Sequence, residues 1–170
     1  NGAGDGTIGN PLLVGRSTEE LVLADFNNDG TLDVFTADDQ DFLLALGGSN
    51  GTFQTQELYA GGSGVPANGV SAGHFNDDSF ADAVLAHQAN QHLVFASYTG
   101  SELEEQGPYL LENEFPADAV AADIDGDGLD DVAVGMLSAG RQQVRIYTSN
   151  GDATITAAGT TGLLTTTASA

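Results

Sequence analysis

Ala24-Asp25-Phe26-Asn27-Asn28-Asp29-Gly30-Thr31-Leu32-Asp33-Val34 recurs twice in this chain without a gap. The second copy is Gly73-His74-Phe75-Asn76-Asp77-Asp78-Ser79-Phe80-Ala81-Asp82-Ala83. The third is Ala122-Asp123-Ile124-Asp125-Gly126-Asp127-Gly128-Leu129-Asp130-Asp131-Val132. Residues 25, 74 and 123 hold the same place, so the period is 49 residues at both steps. Short apolar runs flank each acidic stretch. Leu21 to Ala24, Val70 to Ala72 and Ala119 to Ala122 precede it, and Asp33 to Ala37, Asp82 to Ala86 and Asp131 to Gly135 follow it. Apolar runs this short, bounded by turn residues, read as buried strands.

Two further strands complete each repeat. The third covers Phe42 to Leu46, His92 to Ala96 and Val144 to Tyr147. The fourth is more polar and covers Phe53 to Tyr59, Tyr109 to Glu112 and Thr154 to Ala157. Gly-bearing turns separate these last two strands, at Gly47-Gly48-Ser49-Asn50-Gly51, Thr99-Gly100 and Asn150-Gly151. Gly there permits the positive φ of tight hairpins. An apolar inner part with a polar outer strand, at a period of about 40–50 residues, is the pattern of propeller blades. The expected fold is all-β, with β-propeller-like blades of four antiparallel strands in three 49-residue repeats plus a leading spare strand. The repeat domain is expected over 1–158, with blades at about 20–68, 69–117 and 118–158. Residues 1–15, chiefly Thr7 to Val14, would be the outer strand of an incomplete blade, and 159–170 a Thr/Ser-rich tail. Only Ser101 to Gln106 has helical composition, and it is too short to stand alone.

The chain has 170 residues, with 25 Asp and Glu against 3 Arg and no Lys, a net charge of −22. Nucleic-acid binding needs a basic face, so nucleic acid is not an expected partner, and docking on anionic membranes is disfavoured. A hydrophobic content of 41% is too high for a disordered acidic tail. Without Cys there are neither disulfides nor thiolate metal sites. No apolar run approaches the roughly 20 residues of a membrane-spanning helix.

In the first and third repeats the loop has oxygen side chains at alternate positions and Gly at the sixth. Such a loop can curl around one hard cation, with the seventh residue offering its carbonyl. The expected ligands are Asp25, Asn27, Asp29, the Thr31 carbonyl and Asp33 in the first loop. In the third they are Asp123, Asp125, Asp127, the Leu129 carbonyl and Asp131. Oxygen-only ligation selects Ca2+ over zinc or copper. An EF-hand begins similarly but needs Glu at position twelve between helices; here that position is Thr36 or Val134, inside β-type runs. In the middle loop His74 replaces the first Asp and Ser79 the Gly, so this loop is expected to be empty or weak.

Asp25 to Val34, followed by Leu46-Gly47-Gly48-Ser49-Asn50-Gly51-Thr52-Phe53, resembles the FG-GAP or VCBS repeat. The resemblance extends from Leu21 to about Ala157, and Asn1 to Ile8 resembles the end of a blade. It implies an integrin-α-like β-propeller with calcium in the loop between the first two strands of a blade. Relatives of this kind include adhesion modules, lectins and domains appended to enzymes.

Other chemistry is sparse. His87 and His92 flank a turn and are expected to be exposed polar residues, since a third metal ligand is missing. Arg141 and Arg145 are expected to pair with surface acids. Asn50-Gly51-Thr52 is a sequon that coincides with a hairpin turn. No nucleophile elbow, phosphate loop or zinc-protease motif occurs. The sequence therefore indicates a non-catalytic, calcium-stabilised extracellular adhesion or assembly module, self-assembling into a ring or filament or joined to further blades. The alternatives are a carbohydrate-binding lectin propeller, disfavoured by the absence of Trp, and an accessory domain of a secreted enzyme. The partners would be other copies of the chain, a glycan or a surface protein. An extracellular or cell-surface location, after processing, fits modest calcium sites filled at millimolar concentration.

Overall fold

The computed structural model describes residues 20–37, 42–48, 51–58, 67–111, 114–138 and 141–158. The expected spare strand and the Thr/Ser-rich tail lie outside them, as does Asn50 of the sequon. The described residues form twelve strands and no helix. Blade 1 is β1 (Glu20–Ala24), β2 (Asp33–Ala37), β3 (Phe42–Gly47) and β4 (Phe53–Leu58). Blade 2 is β5 (Gly69–Gly73), β6 (Asp82–His87), β7 (His92–Tyr98) and β8 (Leu103–Leu110). Blade 3 is β9 (Phe115–Ala122), β10 (Asp131–Ser138), β11 (Arg141–Ser149) and β12 (Ile155–Ala157). Each blade is an antiparallel sheet with its strands in chain order, as the repeat predicts. The sheets stand side by side and do not close into a ring among the described residues.

Two strand bounds differ from those expected. Ser101 to Gln106, too short to stand as a helix, belongs mostly to β8, which runs from Leu103 rather than from Tyr109. This outermost strand is largely exposed, so it tolerates glutamates, which mask the strand signal. Blade 3 also extends beyond its apolar runs, because β11 begins at the polar Arg141 and Gln142.

The blades stack through two apolar layers. Phe35, Ala37, Phe42 and Leu44 of blade 1 pack with Ala83, Leu85, Val94 and Tyr98 of blade 2. The opposite face of blade 2 offers Val84, Ala86, Leu93 and Phe95 to Val132, Val134 and Tyr147 of blade 3. Period-2 alternation sends neighbouring residues to opposite faces. Blade 2, covered on both faces, is therefore buried at every position of β6 and β7. The innermost strand β5 packs against both β1 and β9. Close approach to β9 requires Gly73, since a Cβ there would lie 2.9 Å from the Asp130 side chain and 3.0 Å from that of Ala121.

Candidate metal centre

The acidic loops join the two inner strands of each blade, so all three lie at the same end of the stack. In the first and third loops the chain curls in the same way. The fourth and sixth positions have positive φ: 55° at Asn28 and 85° at Gly30, then 85° at Gly126 and 98° at Gly128. Asn and Gly are the residues that tolerate this region. In the middle loop neither Asp77 nor Ser79 adopts it.

This curl turns the side-chain oxygens inward onto backbone N–H groups. The Asp25 carboxylate accepts from Asp29 at 3.0 Å and from Gly30 at 2.7 Å. Asn27 Oδ1 accepts from the Asp29 N–H at 3.1 Å, and Asp29 Oδ1 accepts from Thr31 at 2.8 Å. The Asn27 amide also donates to Asp29 Oδ2 at 3.0 Å. These donors, the Asn27 amide foremost, hold the Asp29 carboxyl below its ordinary pKa. In the third loop Asp123 accepts from Gly126 at 2.7 Å and Gly128 at 3.2 Å. Asp125 accepts from Asp127 at 3.1 Å, and Asp127 from Leu129 at 2.9 Å.

Asp123, Asp125 and Asp131 each bring an oxygen to within 4.8 Å of the others. Two oxygens on one calcium at 2.3–2.6 Å lie at most about 5 Å apart, so the donor set fits such an ion in both spacing and chemistry. Asp127 and the Leu129 carbonyl belong to the same loop, outside that triplet. The first loop offers Asp25, Asn27, Asp29, the Thr31 carbonyl and Asp33 on an equivalent backbone.

The ninth residue has a second task. Asp33 is fully buried; its Oδ2 accepts from Phe26 at 2.8 Å and Asn27 at 3.3 Å, and its Oδ1 from Gly47 at 2.8 Å. Asp131 repeats this with Ile124 at 3.0 Å, Asp125 at 3.2 Å and Ser149 at 3.0 Å. Asp82 does so with Phe75 at 3.4 Å, the Asn76 amide at 3.1 Å and Tyr98 at 3.1 Å. The carboxylate thus ties the loop to the third strand of its blade. In each case Oδ2 accepts two of these bonds and Oδ1 one, so Oδ1 keeps a lone pair for a cation. Burial raises the Asp33 pKa against its N–H donors. Burial likewise pushes Asp82 up to about 7, with nearby Asp78 adding to the shift and the Tyr98 N–H opposing it.

In the middle loop His74 Nδ1 lies 2.9 Å from the Phe80 carbonyl. A carbonyl only accepts, so Nδ1 carries the proton. Phe80 is the seventh residue, whose counterparts Thr31 and Leu129 would offer their carbonyls to a cation. The imidazole N–H occupies that acceptor here.

His87 and His92 are register partners with ring centroids 4.8 Å apart, and both are buried rather than exposed. They lie in the strands of blade 2 that are covered on both faces. Burial lowers the His92 pKa. Arg145 pairs with Glu114. Asp130 has a role that the repeat does not announce, because its counterparts are Leu32 and Ala81. Its carboxylate accepts from the His74 N–H at 2.8 Å and its own N–H donates to the His74 carbonyl at 2.8 Å, joining the loops of blades 2 and 3. A cleft of about 370 Å³ opens at this end, lined by Asp25, His74, Ser79 and Asp130 among others.

Comparison with known families matches residues 25–85 to the FG-GAP-like repeat and residues 115–147 to the FG-GAP repeat. No curated protein matches the chain.

Proposed function

We propose, since the chain belongs to the FG-GAP-type repeat family, that it is a calcium-stabilised, non-catalytic module that acts outside cells by adhesion or assembly. Repeats of this family suggest extracellular adhesion-type β-propeller modules and are generally non-catalytic. No helix among the described residues is long and apolar enough to cross a membrane. The finer reading rests on one observation, the convergence of Asp123, Asp125 and Asp131 in an oxygen-only loop. A calcium ion there would be held by Asp123, Asp125, Asp127, the Leu129 carbonyl and Asp131. The first loop would hold its ion through Asp25, Asn27, Asp29, the Thr31 carbonyl and Asp33. The ion would supply structural cross-linking within each loop and offset the mutual repulsion of its carboxylates.

Calorimetric titration of chelator-treated protein with calcium tests this reading. Two bound ions are expected, with Asp127→Ala removing one and Asp29→Ala the other. Heat of dilution alone would overturn the proposal.

A further inference from the structure

The three repeats act as internal controls for one another and, among the described residues, two faces are exposed where their counterparts are covered. Phe26 and Phe75 occupy one repeat position and both are fully buried, each beneath the following blade; Ile124, the third copy, is 48% exposed. The same holds across the sheet. Phe42 and Leu93 are covered, whereas Val144, at the matching register position of blade 3, is 45% exposed. Val22 packs toward blade 2 and Ser71 Oγ accepts from the Ala121 N–H of blade 3 at 3.0 Å; their counterpart Val120 is 57% exposed. On the other side of the stack, Val70, Ala72 and Ala81 of blade 2 pack against blade 1. Their counterparts Leu21, Leu23 and Leu32 are 56%, 54% and 59% exposed.

We infer that the open face of blade 3 (Val120, Ile124, Val144) receives the open face of blade 1 (Leu21, Leu23, Leu32) of a second copy, head to tail. The occupant follows from continuity with the two interfaces inside the chain. Each blade presents one kind of face forward and another backward, and among the described residues one exposed face of each kind is carried by this one sequence. Repeat arithmetic sets the register. Ser71 touches Ala121 in the existing contact, so Val120 is placed against Leu23 of the second copy. Ala24, at the same repeat position in blade 1, packs against the cluster that holds Ala81 of blade 2, so Ala122 is placed toward Leu32 of the second copy. Substituting Leu for Ala at the back positions enlarges the apolar surface that a partner would bury. A heterologous contact of this kind closes into a ring or propagates as a filament. Because every copy carries a charge of −22, the association strengthens as salt or calcium screens the repulsion. This inference needs the blade stack and not the calcium reading.

The chain has no Cys, which makes site-directed crosslinking clean. Both probe positions are more than half exposed, so Val120→Cys and Leu23→Cys should keep the wild-type melting curve. In calcium and moderate salt, sedimentation of the 170-residue chain should give a mass of at least two copies that falls on dilution. Under mild oxidation, the Val120→Cys chain mixed with the Leu23→Cys chain should form a crosslinked pair, while each chain alone stays uncrosslinked. The doubly substituted chain should give a ladder for a filament or a closed dimer for a two-copy ring. A chain that stays monomeric at high concentration overturns the inference. So does crosslinking of either single variant to its own kind as readily as to the other. The calcium titration is independent of both results, so failure of the metal reading and failure of the docking reading are told apart.

Discussion

A carboxylate that survives where its neighbours have changed reports what the fold needs. Asp82 stands in a loop that has lost its first Asp and its Gly, yet it keeps the same three-donor pattern as Asp33 and Asp131. The ninth residue is therefore a tie between loop and strand as well as a candidate ligand. This separates two substitutions in the third loop. Asp131→Ala strands buried N–H groups and should cost roughly 3 kcal/mol even in chelator. Asp127→Ala, with an exposed side chain, should cost little in chelator and show its loss only in calcium. Denaturant melts with and without calcium measure both, and equal losses in chelator would contradict the distinction. Asp82 adds a pH dependence. Its folded pKa of about 7 lies above the ordinary 3.8, so the folded state holds this proton more tightly. The resulting stability is complete below about pH 3.8 and is lost as pH rises toward 7. Relative to Asp82→Asn, the wild-type chain should lose stability across that window. Melting temperatures of the two proteins in chelator check it, and parallel profiles would show that Asp82 titrates near its ordinary value.

At the scale of elements, the acidic loops and their flanking strands were legible because several signals coincide there. Apolar runs end on Asp, Gly marks the turn, and the 49-residue period aligns the copies. The starts of two strands were less legible. β8 is Glu-rich and exposed, and the start of β11 is polar, so neither shows the alternation that marks a half-buried strand. The tie made by Asp130 and the burial of the His87–His92 pair depend on how blades pack together, which no single repeat encodes. The middle loop gives this scale its prediction. It retains Asn76, Asp78 and Asp82 at the third, fifth and ninth positions, and departs at the first and sixth. His74→Asp with Ser79→Gly should free the Phe80 carbonyl, restore the left-handed turn and add one calcium to the stoichiometry. A calorimetric count unchanged by the double substitution would mean that Asp77 or the neighbouring blade blocks the curl.

For the molecule as a whole, 25 acidic side chains against 3 basic ones set the terms of stability. Self-repulsion disfavours the compact state, and two remedies exist, diffuse screening and site binding. They differ in concentration and in residue dependence. Screening needs an ionic strength at which the Debye length drops to about 10 Å, near 0.1 M, and is indifferent to any one carboxylate. Site binding stabilises by mass action, about 2.7 kcal/mol per site at a hundredfold excess over the dissociation constant. Each kcal/mol raises the Tm by roughly 2–4 °C for a chain of this size. Calcium at low millimolar concentration should therefore raise the Tm by several degrees per site over chelator-treated protein at matched ionic strength. Sodium chloride should produce a gradual rise with no plateau at that concentration. In the Asp29→Ala, Asp127→Ala double variant the calcium increment should vanish while the sodium chloride increment remains. Thermal melts of the two proteins in both salts make the comparison. Equal increments from calcium and sodium chloride in the wild-type chain would assign its stabilisation to screening alone.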